Sequence, residues 1–166
     1  TVQNDLASNS IRCIAEDEQG NYYIGTSDAL SIVTISNGLK VRKTLQEIMY
    51  ARSIATGKAG DVAVVNNSGQ LFIINNQMIK ETFTLKTGNA ETFYTCCKYM
   101  DNGDLLVGTT TNEMYRLRKT NGKYRTIKRY TTGNLQQISS IALDDQPGFR
   151  RLYRGGKRRE PWVRRG

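Results

Sequence analysis

Histidine is absent from all 166 residues. That absence removes His-based catalytic triads, imidazole metal sites and the commonest general base at once. Cysteine is scarce. Cys13, Cys96 and Cys97 are an odd number with two adjacent, which fits neither a disulfide framework nor metal-ligand spacing. Proline occurs only at Pro147 and Pro161, so none interrupts the first 146 residues. No apolar run approaches the roughly 20 residues of a membrane-spanning helix, and no signal-peptide pattern opens the chain. A leader removed in processing would leave no trace here. P-loop and dinucleotide fingerprints are also missing.

What is present favours strands. Hydrophobic residues make up 38% of the chain, enough for a globular core, and nine tyrosines accompany many Thr, Ile and Val residues. The length suits one domain. The formal charge of +9 is unevenly placed. Residues 147–166 hold eight Lys+Arg and one acid, whereas the other 146 residues carry 16 basic and 14 acidic side chains, net +2. The body is nearly neutral and the basicity belongs to a tail.

A repeat organises the body. Turn glycines fall at Gly20, Gly60 and Gly103, with a fourth expected at Gly148, at spacings of 40, 43 and 45 residues. An apolar residue stands six positions before the first three, at Ile14, Ile54 and Cys97. Strands follow the glycines as NYYIG, DVAVV and DLLVG, then as ALSIVTIS, QLFIIN and EMYRLR. Hairpin turns are expected at Asn37-Gly38, Asn75-Asn76 and Asn121-Gly122, because type I′ turns need positive φ at both central residues. A last run closes each unit: LKVRKTL, MIKETFTL and KYRTIKRY. The stretch TLQEIMYARSIA has some helical character but occupies the crossing between units. Four antiparallel strands repeated every forty-odd residues indicate propeller blades. The expected fold is therefore all-β: a β-propeller fragment of about three and a half four-stranded antiparallel blades. The blades are placed at about 9–47, 48–90 and 91–134, with the start of a fourth at 135–146. Gly25-Thr26 and Gly108-Thr109 are expected where neighbouring blades crowd together, and blade two departs with Val65-Asn66.

The segment SNSIRCIAEDEQGNYYIGTSDALSI resembles the two-component regulator propeller repeat. That repeat has an apolar inner strand, an acidic turn ending in Gly-Asn, a strand closing on Ile-Gly-Thr and a polar turn before Leu. The resemblance is close at 9–32, good at 93–117, weaker at 51–74, and LQQISSIALDDQ reads as another start. It implies a non-enzymatic, ligand-binding segment of an extracytoplasmic sensor propeller in a bacterial signalling protein. Histidine kinases, hybrid regulators and diguanylate cyclases carry such regions. The implied partners are a small-molecule or carbohydrate-like ligand, the rest of the propeller and an output domain.

Candidate sites follow from propeller topology. Ligands bind at the channel mouth, where loops join the second strand to the third and one blade to the next. On that geometry the contacts are Ser27, Asp28, Asn67, Ser68, Thr111 and Asn112, with Arg12 and Tyr94 from inner strands. Each loop residue is also a type that ordinary turns favour. No catalytic residue, metal site or cofactor is expected. Glu16-Asp17-Glu18 and Asp144-Asp145 read as solvated turns, and the cysteines as buried small hydrophobes. The alternative function is nucleic-acid or polyanion binding by the Arg-rich tail and hairpin 114–130, whose three tyrosines interleave with seven basic residues. The competing reading of that hairpin is a blade's exposed outer edge, where basic residues discourage pairing.

Two expectations concern the ends. Closed propellers usually need four to eight blades, so this stack should leave open strand edges and self-associate through them, most simply as a dimer. The tract 147–166 replaces a strand that the repeat calls for. It reads as non-native sequence, against the alternative of a genuine basic arm that folds on a polyanion.

Overall fold

The computed structural model of the protein describes residues 6–85, 92–131, 133 and 137–143. Among these residues twelve strands form three four-stranded antiparallel sheets, each a meander in chain order. Blade one contains β1 (Ile11–Glu16), β2 (Asn21–Thr26), β3 (Leu30–Ile35) and β4 (Leu39–Leu45). Blade two contains β5 (Ala51–Thr56), β6 (Val62–Asn66), β7 (Gln70–Asn75) and β8 (Met78–Thr84), with a short 3-10 turn at Lys58–Gly60. Blade three contains β9 (Tyr94–Tyr99), β10 (Leu105–Thr109), β11 (Glu113–Thr120) and β12 (Lys123–Thr131). The inner strand β5 lies between β1 and β9, so the blades stack as in a propeller. The stretch TLQEIMYARSIA runs from the end of β4 through the crossing into β5, with no helix.

Local chemistry sets the turns. Gly20, Gly60 and Gly103 have φ of +75°, +75° and +84°, which side chains with a Cβ rarely adopt. Each therefore marks the first hairpin of its blade. The outer hairpins vary more than the sequence suggests. Asn121 and Gly122 both have positive φ, as a type I′ turn requires. In blade two the central pair is Asn76-Gln77, at φ +50° and +58°, one residue beyond the expected Asn75-Asn76. Asn75 instead pairs with Met78, and its side chain donates to Asp61 Oδ1 at 2.7 Å. In blade one, Ile35 pairs with Leu39 across three residues, and only Gly38 has positive φ.

Two interfaces hold the stack. Tyr23, Leu30, Ile32 and Leu45 of blade one pack on Val62, Val64, Phe72 and Ile74 of blade two. The other face of blade two, with Ala63, Val65, Leu71 and Ile73, packs on Tyr94, Cys97, Tyr99, Leu105, Val107 and Leu117. The far face of blade three is covered by Ile138 and Ile141, from the segment read as a fourth start. Ile138 N–H donates to Thr109 O at 3.0 Å, and its carbonyl accepts from Thr95 Oγ1.

The Gly-Thr pairs sit where this stacking is tightest. A Cβ on Gly25 would meet Ala51 Cβ at 2.5 Å and Cys13 Sγ at 2.7 Å. One on Gly108 would meet Ile138 Cγ2 at 2.7 Å and Cys96 Sγ at 2.8 Å. The glycine admits the next blade's inner chain. In blade two Val65 pairs with Ser53 rather than with a cysteine, and Val65 joins the Tyr94 cluster.

The open end of the stack is a sheet face, which corrects the expectation of open strand edges. Ile14 occupies the place of Ile54 and Cys97, which pack on the preceding blade. No described blade precedes the first, and Ile14 is 57% exposed. The lateral edge strands β4, β8 and β12 carry Lys40, Arg42, Lys43, Lys80, Lys123, Arg125 and Lys128, which oppose edge pairing. The basic tract 147–166, Asp144-Asp145 and the rest of 144–146 lie outside the described residues, as do Leu135 and Gln136.

Candidate functional site at the channel mouth

The loops joining second and third strands are built by one buried side chain each. Thr26 Oγ1 donates to Ala29 O at 2.8 Å and accepts from Ala29 N at 3.1 Å. Thr109 Oγ1 donates to Glu113 O at 2.8 Å and accepts from Thr111 N at 3.3 Å. Asn66 takes this role in blade two, where its Oδ1 accepts from Gln70 N at 2.9 Å. These side chains compete with the strand ladder and fix the loop backbone instead.

Next to these loops every inner strand carries a β-bulge. The register skips Arg12 between Ile11 and Cys13, Arg52 between Ala51 and Ser53, and Thr95 between Tyr94 and Cys96. A bulge re-aims its extra side chain. Thr95 turns into the fourth-unit contact, whereas Arg12 and Arg52 are exposed. Neither arginine pairs with a carboxylate among the described residues.

Tyr50 is the centre of this end. It stands just before β5 with φ of +52°, a left-handed conformation costly for a bulky side chain, on the order of 1–3 kcal/mol. Two loops clamp it there. Its N–H donates to Ser27 O at 3.1 Å, and its carbonyl accepts from Asn67 N–H at 3.0 Å. The ring stays 48% exposed, with the Arg12 guanidinium 5.9 Å from its centroid. Phe93 holds the equivalent position before β9 and is 42% exposed. Its carbonyl accepts from Thr110 N–H at 2.9 Å, and its N–H donates to Thr110 Oγ1 at 3.0 Å.

The structure thus brings Arg12, Ser27 and Asn67 together around Tyr50. Asp28 and Ser68 are exposed on the same loops. Thr111 and Asn112 are half-buried, and Thr111 Oγ1 lies 3.0 Å from Thr109 Oγ1 within its own loop. Tyr94 is a correction: it is buried, packs edge-on to Tyr115 at 6.4 Å between centroids, and belongs to the blade interface. Tyr50, Phe93 and Arg52 were missed by sequence reasoning, yet a signal existed. Arg52 follows Arg12 by one blade, and Phe93 follows Tyr50 by one blade.

The opposite end holds a pocket of about 370 Å³ lined by Glu16, Asp17, Glu18, Lys58, Tyr99 and Asp101, among others. Its buried carboxylate serves the turn: Asp17 accepts from Gln19 N, Asn21 N and Asn21 Nδ2 at 2.8–2.9 Å. Among the described residues no group of three or more Cys, Asp or Glu side chains is placed to hold a metal. No helix among them is long and apolar enough to cross a membrane. Burial pushes the Cys13 thiol up to about 11 and the Cys97 thiol to about 12, so both are protonated at neutral pH.

The three tyrosines of hairpin 114–130 are each engaged within the fold. Tyr124 is buried and donates to Asp61 Oδ2 at 2.7 Å. Tyr115 donates to Glu113 Oε2 at 2.7 Å, and Tyr130 lies half-buried under Lys128. Four of the seven basic side chains pair within the fold: Arg116 and Arg118 with Asp104, Lys119 with Asp61, and Arg129 with Glu113.

Comparisons with known proteins agree with this architecture. Residues 5–28 match the two component regulator propeller family. No curated protein matches the chain. Among solved structures, the chain is similar to a protein named as a 6-phosphogluconolactonase from Bacteroides uniformis, with TM-score 0.64, 9% identity, and coverage of 84% of this chain and 46% of that one. It is similar to BamB from Moraxella catarrhalis, with TM-score 0.59, 18% identity, and coverage of 80% and 40%. It is also similar to the extracellular domain of a hybrid two component system from B. thetaiotaomicron, with TM-score 0.56, 17% identity, and coverage of 71% and 17%. The chain thus spans less than half of each of these structures. Together with the three stacked meanders, the match identifies a β-propeller fragment whose first blade carries the two component regulator propeller repeat.

Proposed function

We propose that this chain is the ligand-binding part of an extracytoplasmic sensor propeller in a bacterial signalling protein. It acts without catalysis, and a small ligand occupies the mouth formed by Tyr50, Phe93 and the loops around them. The observation that carries this reading is Tyr50. A bulky residue is held in a left-handed conformation by two loops, and about half of its surface stays exposed. Such strain persists only where its surroundings over-determine it, and it clusters at functional positions. The repeat match and the neighbour described as an extracellular two-component domain support the signalling context. The rest of the propeller and an output domain are the expected partners. Binding there would bridge blades one, two and three, and so could bias their packing for transmission.

The test is a thermal-shift screen of small molecules and oligosaccharides on the chain and on Tyr50→Ala. Ligands that stabilise the chain should lose their shift in the variant, while its unliganded Tm stays within a few degrees. Shifts that survive Tyr50→Ala undiminished would contradict the site.

A further inference from the structure

We propose that the β12 edge of blade three takes up an extended, acidic segment of a separate protein as a fifth strand, with carboxylates at alternate positions beside Arg125 and Lys128. The inference does not depend on the mouth.

Three observations carry it. First, two pairs of cations stand directly opposed across β11 and β12: Arg116 with Lys128, and Arg118 with Arg125. Like charges in that relation destabilise a sheet. All four share one face, because residues directly opposite and residues two apart point the same way. Asp104 serves Arg116 and Arg118 together, whereas Arg125 and Lys128 pair with no carboxylate among the described residues. The outer hairpins of blades one and two contain no opposed cations. Second, charge replaces a core position. Tyr23, Ala63 and Leu106 each lie three residues after a turn glycine, and their third-strand partners are Ile32, Ile73 and Arg116. Ile32 packs on blade two and Ile73 on blade three. The far face of blade three is therefore apolar where Ile138 and Ile141 cover it, and cationic toward the β12 edge. Third, β12 is the longest of the twelve described strands, with nine residues, and it ends its sheet. Arg125, Thr126, Ile127 and Lys128 are all exposed.

The outward backbone groups of an edge strand are a template for another chain. Basic side chains there repel the basic edges of a second copy and admit an acidic strand. An added strand would lie about 5 Å from β12 and present alternate side chains about 7 Å apart on the cationic face. Main-chain hydrogen bonds would supply affinity, and the carboxylates would set the choice of partner. A nucleic acid is a poorer match, since Tyr115 and Tyr124 are held by Glu113 and Asp61. This chain offers no such strand of its own. Tract 147–166 holds eight Lys+Arg and one acid, and the alternating acids Glu16 and Glu18 stand at the turn between β1 and β2.

The experiment titrates the full chain with a decapeptide alternating Glu and Thr, a Gln-Thr peptide of equal length, and a single-stranded DNA decamer. Anisotropy reads affinity and backbone amide shifts read position. At low salt the Glu-Thr peptide should bind tenfold or more tightly than the Gln-Thr peptide, and its largest shifts should fall in β12. Arg125→Glu combined with Lys128→Glu should weaken that binding tenfold or more, and the double Gln variant about threefold. Both variants end the opposition of like charges, so each should also raise the Tm of the free chain by roughly 1–4 °C. A fall in Tm in both would overturn the inference, because the opposed pairs would then carry no penalty. So would failure of the Glu-Thr peptide to bind, binding undiminished in both variants, or shifts confined to 147–166. DNA that binds more tightly than the peptide and moves the β12 amides would make the edge a nucleic-acid surface instead. Salt-sensitive self-association in sedimentation, lost in the double Glu variant, would make a second copy the occupant.

Discussion

At the scale of single residues, two side-chain environments give measurable consequences. Gly25 has no room for a methyl group, because both Ala51 Cβ and Cys13 Sγ lie under 3 Å from where it would be. Gly25→Ala is therefore expected to destabilise the fold by about 1–3 kcal/mol, read as a lower urea midpoint. An unchanged midpoint would show that the blades can separate at no cost. Asp104 is 2% exposed, and its Oδ atoms accept from Arg118 at 2.8 and 2.9 Å and from Arg116 Nε at 2.6 Å. Hydrogen bonds from Arg118, opposed by burial and joined by those from Arg116, hold its carboxyl at about 2, below the usual 3.8. A depressed folded pKa stabilises the protein above the unfolded value and loses that contribution as pH falls from about 4 to about 2. The expected loss is about 1–2 kcal/mol, reduced by solvent screening at the half-exposed Arg118. Asp104→Asn should flatten the stability profile over that window, as read by urea titration at each pH. Gly25 was visible in the sequence as half of a Gly-Thr pair. The engagement of Arg116 and Arg118 was not, because a basic run looks the same whether or not a buried acid lies beneath it.

At the scale of elements, the outer hairpin of blade three is fastened to blade two by a polar network. Asp61, on β6's edge, accepts from Lys119 Nζ at 2.8 and 3.0 Å, from Asn75 Nδ2 at 2.7 Å and from the Tyr124 hydroxyl at 2.7 Å. Tyr124 gives its one proton to Asp61, so the Tyr99 hydroxyl, 3.2 Å away, is the donor between the two tyrosines. Burial raises the pKa of both phenols, and the network therefore stays intact through neutral pH. Tyr124 N–H also donates across to Glu81 Oε1 at 3.0 Å. Replacing Asp61 with Ala strands Tyr124 and Lys119 and should cost about 2–3 kcal/mol, since Lys119 can turn partly into water. Amide exchange should quicken in β11 and β12 more than in β1–β4. Uniform quickening in all blades would contradict a local fastening. Strand order and hairpin chemistry were legible here from turn residues and alternation. The exact outer turns were not, because Asn75 is drawn into the Asp61 network and the turn shifts by one residue.

At the scale of the whole molecule, three meanders stack with their inner strands side by side. The two ends of that stack of hairpins differ in chemistry. The end bearing the Gly20, Gly60 and Gly103 turns holds Glu16, Asp17, Glu18 and Asp101, while the other presents Arg12, Arg52, Tyr50 and Phe93. Repeat spacing made the blades legible and placed Ser27 and Asn67 on the loops that join second and third strands. It could not rank the residues at the mouth, because a strained backbone leaves no mark in composition. The sequence places Tyr50 in the crossing between blades one and two but gives no sign of its positive φ. The same stacking accounts for the cysteines. Cys97 is buried between blades two and three, with a thiol held protonated, so iodoacetamide should modify it slowly in the native protein and rapidly in urea. Fast native modification would mean that the blades open. The central claim is that ligand enters at the Tyr50 end, and backbone amide chemical shifts test it most directly. Titration with any ligand that raises the Tm should move the amides of Tyr50, Asn67, Phe93 and Thr110 most. Largest movements at Glu18, Gly57, Lys58 and Asp101, around the acidic pocket of the opposite end, would contradict it.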